Sequence, residues 1–377
     1  MGILIGADFV PTNSNSRYFE NGDAESLVGA ELLEMMLQAD YRIFNLEVPL
    51  TDSAQPIKKC GPNLLAGTDT VNGYRALRVD LLTLANNHIL DQGINGAIST
   101  QKTLDNAGIN HVGLRGKNVS DNGSFIFPFN GKKVGVYACA EHEFSTLESY
   151  EIYANPFLEK QACESIRDLK TKCDYIIVLY HGGKEYYQYP SPKLQNNCHM
   201  MINSGADLVV CQHSHCIGCE EKYEKGTIVY GQGNYLFDLS NNEYCQTGLL
   251  IEINSDFEVS YIPLAKKGHS VSLAMGSEGE EIIKNFNLRS MQIREAGFVV
   301  ENYNKFAQKM LETYFWTLSG KESLLFRLLN KLSHGKLRSW SLSRKYSDEA
   351  IMKIYNCLIC EAHNELLIKG LENRIYE

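Results

Sequence analysis

The sequence predicts an α/β fold over residues 1–268, followed by a mainly helical region over 269–377. Three observations point there. Short apolar runs alternate with helical patterns through about the first 250 residues, as layered sheets and helices require. Polar clusters rich in Asn, His and acids fall directly after those apolar runs. After about Gly268 the strand signals fade and amphipathic helical stretches take over.

Residues 3–7 read as a first strand. Residues 26–38 carry Leu27, Ala30, Leu33 and Leu37 on one helical face. Residues 41–46 and 80–84 read as further strands, and 94–106 as a helix closed by Ala107-Gly108. A strand is expected at 109–112. Asn130-Gly131 separates 124–129 from 133–138, a strong hairpin signal. Helices near 156–170 and 192–203 alternate with strands at 175–179, 207–210 and 227–230. A second hairpin, 248–253 and 258–264, turns at Asn254-Ser255-Asp256. The tail reads as helices at 282–286, 303–318, 322–332 and 348–367, with the boundary near 268–280.

A chain of 377 residues can bury a large core. Its net charge of −9 argues against non-specific nucleic-acid binding, which needs clustered Lys and Arg. One basic stretch stands apart: Lys331, Lys336, Arg338, Arg344 and Lys345 with Trp340 and no acids. It reads as a solvated helix-connecting loop in preference to a contact for an anionic polymer or membrane surface. No apolar run approaches the ~20 residues that span a bilayer. The first eight residues lack a basic n-region, so neither a transmembrane anchor nor a signal peptide is expected, and the expected compartment is the cytoplasm. Eleven cysteines, an odd number, agree with reduced thiols there.

The chemistry gathers at strand ends. The first strand ends at Asp8 and the second in Asn45-Leu46-Glu47. The third runs into Asn86-Asn87-His88, with Asp91 three residues later. The strand at 175–179 leads to His181-Gly182-Gly183 and Glu185, that at 207–210 to His213-Ser214-His215, and that at 227–230 to Gly233-Asn234. Ligands of open α/β sheets sit outside the carboxyl ends of the strands. Parallel neighbours would therefore bring six clusters to one place. Imidazoles, carboxylates and Asn carbonyls together suit Zn²⁺, Mn²⁺ or Fe²⁺. His213 and His215 are two apart, so an extended backbone would point both rings the same way. Singly each piece has a plainer reading, such as a helix N-cap for a lone Asp or a turn for Asn86-Asn87. Cys211, Cys216 and Cys219 lie close to His213 and His215 and leave a structural zinc site as a minor alternative, although no second Cys-x-x-Cys arm stands nearby. Tyr186, Tyr187 and Tyr189 either line a substrate cleft or cap the core edge.

In this order the clusters resemble the poly-γ-glutamate capsule-biosynthesis (CapA-type) family, a branch of the calcineurin-like metallophosphoesterase superfamily. The matching elements are Gly6-Ala7-Asp8, Asn45-Leu46-Glu47-Val48-Pro49-Leu50, the block from Leu84 through Asn86-Asn87-His88 to Asp91-Gln92-Gly93, His181-Gly182-Gly183, Gly205-Ala206-Asp207 with His213-Ser214-His215, and Gly231-Gln232-Gly233-Asn234. The resemblance covers residues 1–265 and implies a four-layer αββα sandwich with one or two divalent metals. It implies that Asp8 and His215 ligate one metal, that Asn87, His181 and His213 ligate the other, and that Glu47 bridges. His88, with Asp91, is implied as the catalytic group facing the scissile phosphate, and Asn45, Asn86, Glu185 and Asn234 as substrate contacts. The expected substrate is an anionic small molecule or polymer, with capsule or polymer-synthesis proteins as partners. Two departures stand out: Val10 replaces the His of the superfamily's Asp-x-His motif, and Asn-Leu-Glu replaces its Gly-Asp-x-x-Asp. One metal is then short of protein ligands and is expected to be weak or absent. A non-catalytic polymer-handling or scaffold subunit is the alternative function.

Overall fold

The computed structural model describes residues 2–116, 123–146, 150–237, 242–320 and 324–376. The chain divides into two compact units, Met1–Val299 and Val300–Glu377.

The strands of the first unit are β1 (Ile3–Asp8), β2 (Tyr41–Asn45), β3 (Leu81–Thr83), β4 (Asn110–Val112), β5 (Leu114–Gly116), β6 (Ser124–Phe129), β7 (Lys132–Ala140) and β8 (Ile152–Ala154). They continue with β9 (Tyr175–His181), β10 (Leu208–Gln212), β11 (Glu220–Tyr223), β12 (Gly226–Tyr230), β13 (Thr247–Ile253), β14 (Val259–Lys267) and β15 (Ser270–Leu273). One sheet has the order β15-β14-β13-β1-β2-β3-β4 and the other β11-β12-β10-β9-β7-β6, while β5 and β8 form a small ribbon. Strands β1 to β4 run parallel, as do β7, β9, β10 and β12.

Three separate cores define the layers. Between the sheets lie Ile3, Ile5 and Ile43 from one and Val136, Ile177, Leu179 and Val210 from the other. Period-2 alternation sends Leu4, Phe44 and Leu82 to the opposite face of the first sheet, where Leu32, Met36 and Leu104 of its helices cover them. Ile176, Val178 and Val209 likewise meet Ile166, Leu169, Cys198 and Met201 on the far side of the second. This is the expected four-layer αββα sandwich. Strands buried on both faces explain why their sequences are nearly continuous apolar runs.

Local chemistry fixes several ends. Ser191 caps the helix Pro192–Asn203 by accepting from the Leu194 N–H, and Gly108 ends the helix Gly93–Ala107 in the left-handed conformation. Asn130 and Gly131 both have positive φ, which matches their hairpin to the strand twist.

Several expectations are corrected. The helix read over 26–38 is two helices, Ala24–Val28 and Ala30–Gln38, broken at Gly29 with φ +71°. The stretch 348–367 is also two helices, Asp348–Ile359 and Glu361–Tyr376. The first unit runs past 268–280 to Val299 because the helix Gly276–Gln292 packs on it: Phe286 joins the inter-sheet core, and Ser290 Oγ accepts from the Glu220 N–H at 2.7 Å. Residues 322–323 of the helix read over 322–332 lie outside the described residues; the remainder is the helix Leu324–Leu332. The basic stretch is no loop, since its residues lie in that helix and in the helix Lys336–Lys345. Among the described residues no helix is long and apolar enough to cross a membrane.

Candidate metal centre

The six polar clusters do not follow neighbours of one sheet. Three come from the carboxyl edge of the first sheet, at Asp8, at Asn45 with Glu47, and at Asn86-Asn87-His88; three come from the second, at His181, at His213 with His215, and at Asn234. The sandwich brings the two edges face to face. Glu47, buried to 0% exposure, stands between them.

Two donor groups share that carboxylate, Glu47 with His181 and His213, and Glu47 with Asp8 and His215. In the first, His181 Nε2 lies 3.0 Å from His213 Nδ1, 3.1 Å from Glu47 Oε1 and 3.1 Å from Asn87 Oδ1. In the second, His215 Nδ1 lies 3.3 Å from Asp8 Oδ2 and 2.8 Å from Asn234 Oδ1. Asp8 Oδ2 and both Glu47 oxygens are buried without a hydrogen bond. Such groups cost free energy unless something compensates them. A proton on His181 Nε2 can serve only one of the three atoms around it, whereas a cation at each convergence point serves every donor. The residues of each group therefore fit a divalent cation.

The electrostatics agree. Burial pushes the His213 imidazole well below its ordinary range, and His181 and His215 add to the effect, so its lone pair is available. Burial also disfavours charge on His181 and His215, but Glu47 and Asp8 outweigh it; His181 is raised and His215 is raised to about 10. Asp8 is lowered: burial opposes ionisation, and His215, His181 and Asn45 overcome it.

The two histidines of the His-Ser-His loop do not lie on an extended strand. β10 ends at Gln212, and His213 and His215 adopt positive φ, +100° and +53°. Their rings therefore enter different donor groups instead of pointing the same way. Non-glycine residues held in this region are strained, a pattern common where a loop presents ligands.

The remaining site residues occupy distinct places. Asn45 is fully buried; its Nδ2 donates to Asp8 Oδ1 at 2.8 Å, and its Oδ1 accepts from Asn86 Nδ2 at 3.1 Å. Asn86 also donates to the Leu46 carbonyl at 2.8 Å, so both amides brace the donors from beneath. His88 Nδ1 meets Asp91 Oδ2 at 2.6 Å beside the first group. Glu185 is exposed, outside the cluster. Tyr186 lies with its ring centroid 6.1 Å from that of His215, whereas the Tyr189 hydroxyl turns away to Gln292 Oε1 at 2.7 Å. Cys216 and Cys219 are buried, and burial pushes the Cys216 thiol up to about 12. Among the described residues neither donor group contains a cysteine, so the structural zinc alternative finds no support.

Two residues escaped the sequence reading. Glu141 follows β7 and reaches within 3.8 Å of His213 Nε2; its place after a strand was the available signal. Lys59 pairs with Asp91, its amine 3.2 Å from His88 Nδ1 and its side chain only 3% exposed. It comes from an irregular loop with no strand before it, and no local pattern marks it.

Comparison with known proteins adds a family. The sequence model of the bacterial capsule synthesis protein PGA_cap family matches residues 4–239. Capsule biosynthesis protein CapA of Bacillus anthracis is 31% identical over 210 residues, 53% of this chain and 51% of that one. PGA biosynthesis protein CapA of Bacillus subtilis (strain 168) is 24% identical over 255 residues, 62% and 64% of the two chains. The chain thus spans half to just under two thirds of these relatives. Among solved structures, a putative 5'-nucleotidase from Staphylococcus aureus is similar with a TM-score of 0.43 and 13% identity, over 76% of this chain and 58% of that one.

Proposed function

Because the chain belongs to the bacterial capsule synthesis protein PGA_cap family, we propose that it is a metal-dependent hydrolase of the metallophosphoesterase type. Its substrate would be a phosphoester or related bond in capsule, poly-γ-glutamate or other anionic surface-polymer metabolism. The observation that carries this reading is Glu47, a buried carboxylate without a hydrogen bond, shared by two three-residue donor groups.

Asp8, Glu47 and His215 would hold one cation, with Asn234 beside them; Glu47, His181, His213 and Asn87 would hold the other. Manganese, zinc and iron all suit these donors. A divalent cation in such a site supplies Lewis-acid stabilisation of charge on a phosphoryl oxygen and activates a water nucleophile. The protein's own part is positioning. Asn45 fixes the Asp8 carboxylate, and Asn86 fixes Asn45 and the Leu46 backbone. Asp91 would accept from His88 Nδ1–H and orient the ring, so that in the doubly protonated form Nε2–H would give a proton to a leaving oxygen or steady its charge. Lys59 holds Asp91 in place for that task.

Purified protein should bind more than ~1 equivalent of Mn²⁺ or Zn²⁺ and hydrolyse an aryl phosphate, and His213→Ala should lose both. Less than ~0.2 equivalent, with no activity above that of His213→Ala, would sink the reading.

A non-catalytic polymer-handling or scaffold role has one observation in its favour. Val10 is buried at 1% exposure and its N–H donates to the Leu236 carbonyl, so β1 gives only Asp8 to the second group. Capture of a polymer-synthesis protein, with biological function intact in His88→Ala, would favour that role.

A further inference from the structure

Glu141 follows β7 on a segment that is anchored at both ends. Its own N–H donates to the His181 carbonyl at 3.0 Å, which sets it beside the first donor group. Further along, Ser145 is 0% exposed; its Oγ donates to the Asn87 carbonyl at 2.7 Å and accepts from the Leu90 N–H at 3.1 Å. A segment of the second sheet is thereby tied to a donor of the first. The Glu141 carboxylate is also aimed. Gly183, at φ +132°, turns its N–H onto Oε2 at 3.4 Å, and Oε1 is left 3.8 Å from His213 Nε2.

His213 needs such a neighbour. Its Nδ1 points into the donor group, 3.0 Å from His181 Nε2. An imidazole that gives the lone pair of one nitrogen to a cation carries its proton on the other. That N–H is commonly held by a carboxylate, which fixes the tautomer and the direction of the ring. The backbone does not fix the direction unaided: His213 has φ +100° just past the end of β10, a conformation that costs a non-glycine residue free energy. Edge contact with His181, ring centroids 4.8 Å apart at 66°, steadies one side of the ring, and Glu141 stands at its outer nitrogen. A separation of 3.8 Å is an ion-pair distance, longer than a hydrogen bond. The Glu141 side chain, 32% exposed, has room to turn and close it. Lys184 Nζ, 4.0 Å from the same oxygen and 45% exposed, is the competing partner, and a surface pair of that kind holds little.

We propose that Glu141 is a positioning residue of the metal centre: its carboxylate accepts the His213 Nε2–H and holds the imidazole with Nδ1 toward the cation of the first group. This role presupposes the metal reading and goes beyond it, since among the described residues Glu141 belongs to neither donor group. It acts through His213, so loss of the carboxylate should be felt by one cation and not by the other.

The test is titration of the full chain with Zn²⁺ against a competing chelator, for the wild type, Glu141→Ala and Glu141→Gln. Glu141→Ala should weaken one equivalent by ~10–100-fold and leave the other nearly unchanged. Glu141→Gln keeps an accepting oxygen without the charge, and its affinity should fall between those of Glu141→Ala and the wild type. Both variants should keep the wild-type Tm in chelator. In the zinc-saturated protein with ¹⁵N-labelled histidine, the His213 Nε2–H proton should be protected from exchange in the wild type and exchange faster in Glu141→Ala. A residue that only shapes the loop would not move that signal. Weakening of both equivalents together with a fall in metal-free Tm would make Glu141 a packing residue and overturn the proposal. Wild-type affinity in Glu141→Ala, beside a loaded wild type, would overturn it and leave the metal reading standing. Less than ~0.2 equivalent bound by the wild type would overturn both.

Discussion

Glu47 Oε1 lies 3.1 Å from His181 Nε2, yet neither oxygen of this fully buried carboxylate has a hydrogen bond. A charge held this way is tolerable when a cation is present and costly when it is not. Glu47→Gln should remove most metal uptake, and in chelator it should cost stability, because His181 and His215 lose the carboxylate that favours their charge. Thermal unfolding in chelator, set beside metal titration, checks both signs. A variant that gained stability in chelator and kept its metal would refute the argument.

Metal should stabilise the wild-type fold by mass action. At a free concentration 100 times the dissociation constant, one cation adds about 2.7 kcal/mol. Unfolding followed with and without Mn²⁺ should show a rise in Tm of several degrees that chelator reverses. His213→Ala should respond by less than half as much.

The Asp8–His215 pair gives the metal-free protein a pH signature. His215 is raised to about 10 against its burial, chiefly by Asp8, so its contribution is complete below the ordinary imidazole range and is lost as pH rises toward 10. Asp8 is lowered, so its contribution holds above the ordinary carboxylate range and is lost in acid. Metal-free Tm should then fall between pH 7 and about 10, and His215→Gln should flatten the slope. Metal must displace the His215 proton, so uptake at neutral pH should release protons. Calorimetry in buffers of different ionisation enthalpy measures that release directly.

Asn234 occupies in the second group the place that Asn87 occupies in the first. Its Oδ1 is 2.8 Å from His215 Nδ1, and its Nδ2 is buried without a partner. Asn234→Ala should weaken one metal equivalent by ~10–100-fold and leave the other nearly unchanged. Loss of both equivalents, or of neither, in a metal titration would contradict this division.

Loss of packing between the sheets should be felt at the site as well as in stability. Ile177 lies at 0% exposure between the sheets, four residues before His181 on β9. Ile177→Ala should cost about 2–5 kcal/mol and lower metal affinity, because the two halves of the donor set hang on opposite sheets. Denaturant unfolding with a parallel metal titration tests the coupling.

The sequence alone determined most of the elements and which polar clusters stand at strand ends. Period-2 and period-3.6 patterns located the strands and most helices, and the strand ends marked the polar clusters from Asp8 to Asn234; the resemblance, not the pattern, singled out Asp8, Glu47, Asn87, His181, His213 and His215 among them. Those signals are local. Gly29, which splits one expected helix, acts through a single positive φ that hydrophobic periodicity does not register. The tertiary structure decided what is non-local. It divided the strands between two sheets, so that the candidate donors meet across an interface, 94 residues apart in the case of Asn87 and His181. It placed Lys59 against Asp91 from a loop without periodicity. It sent His213 and His215 to different donor groups, because the backbone leaves the strand before reaching them. Which residues can bind metal follows from side-chain chemistry; which of them share a cation follows from how two sheets pack.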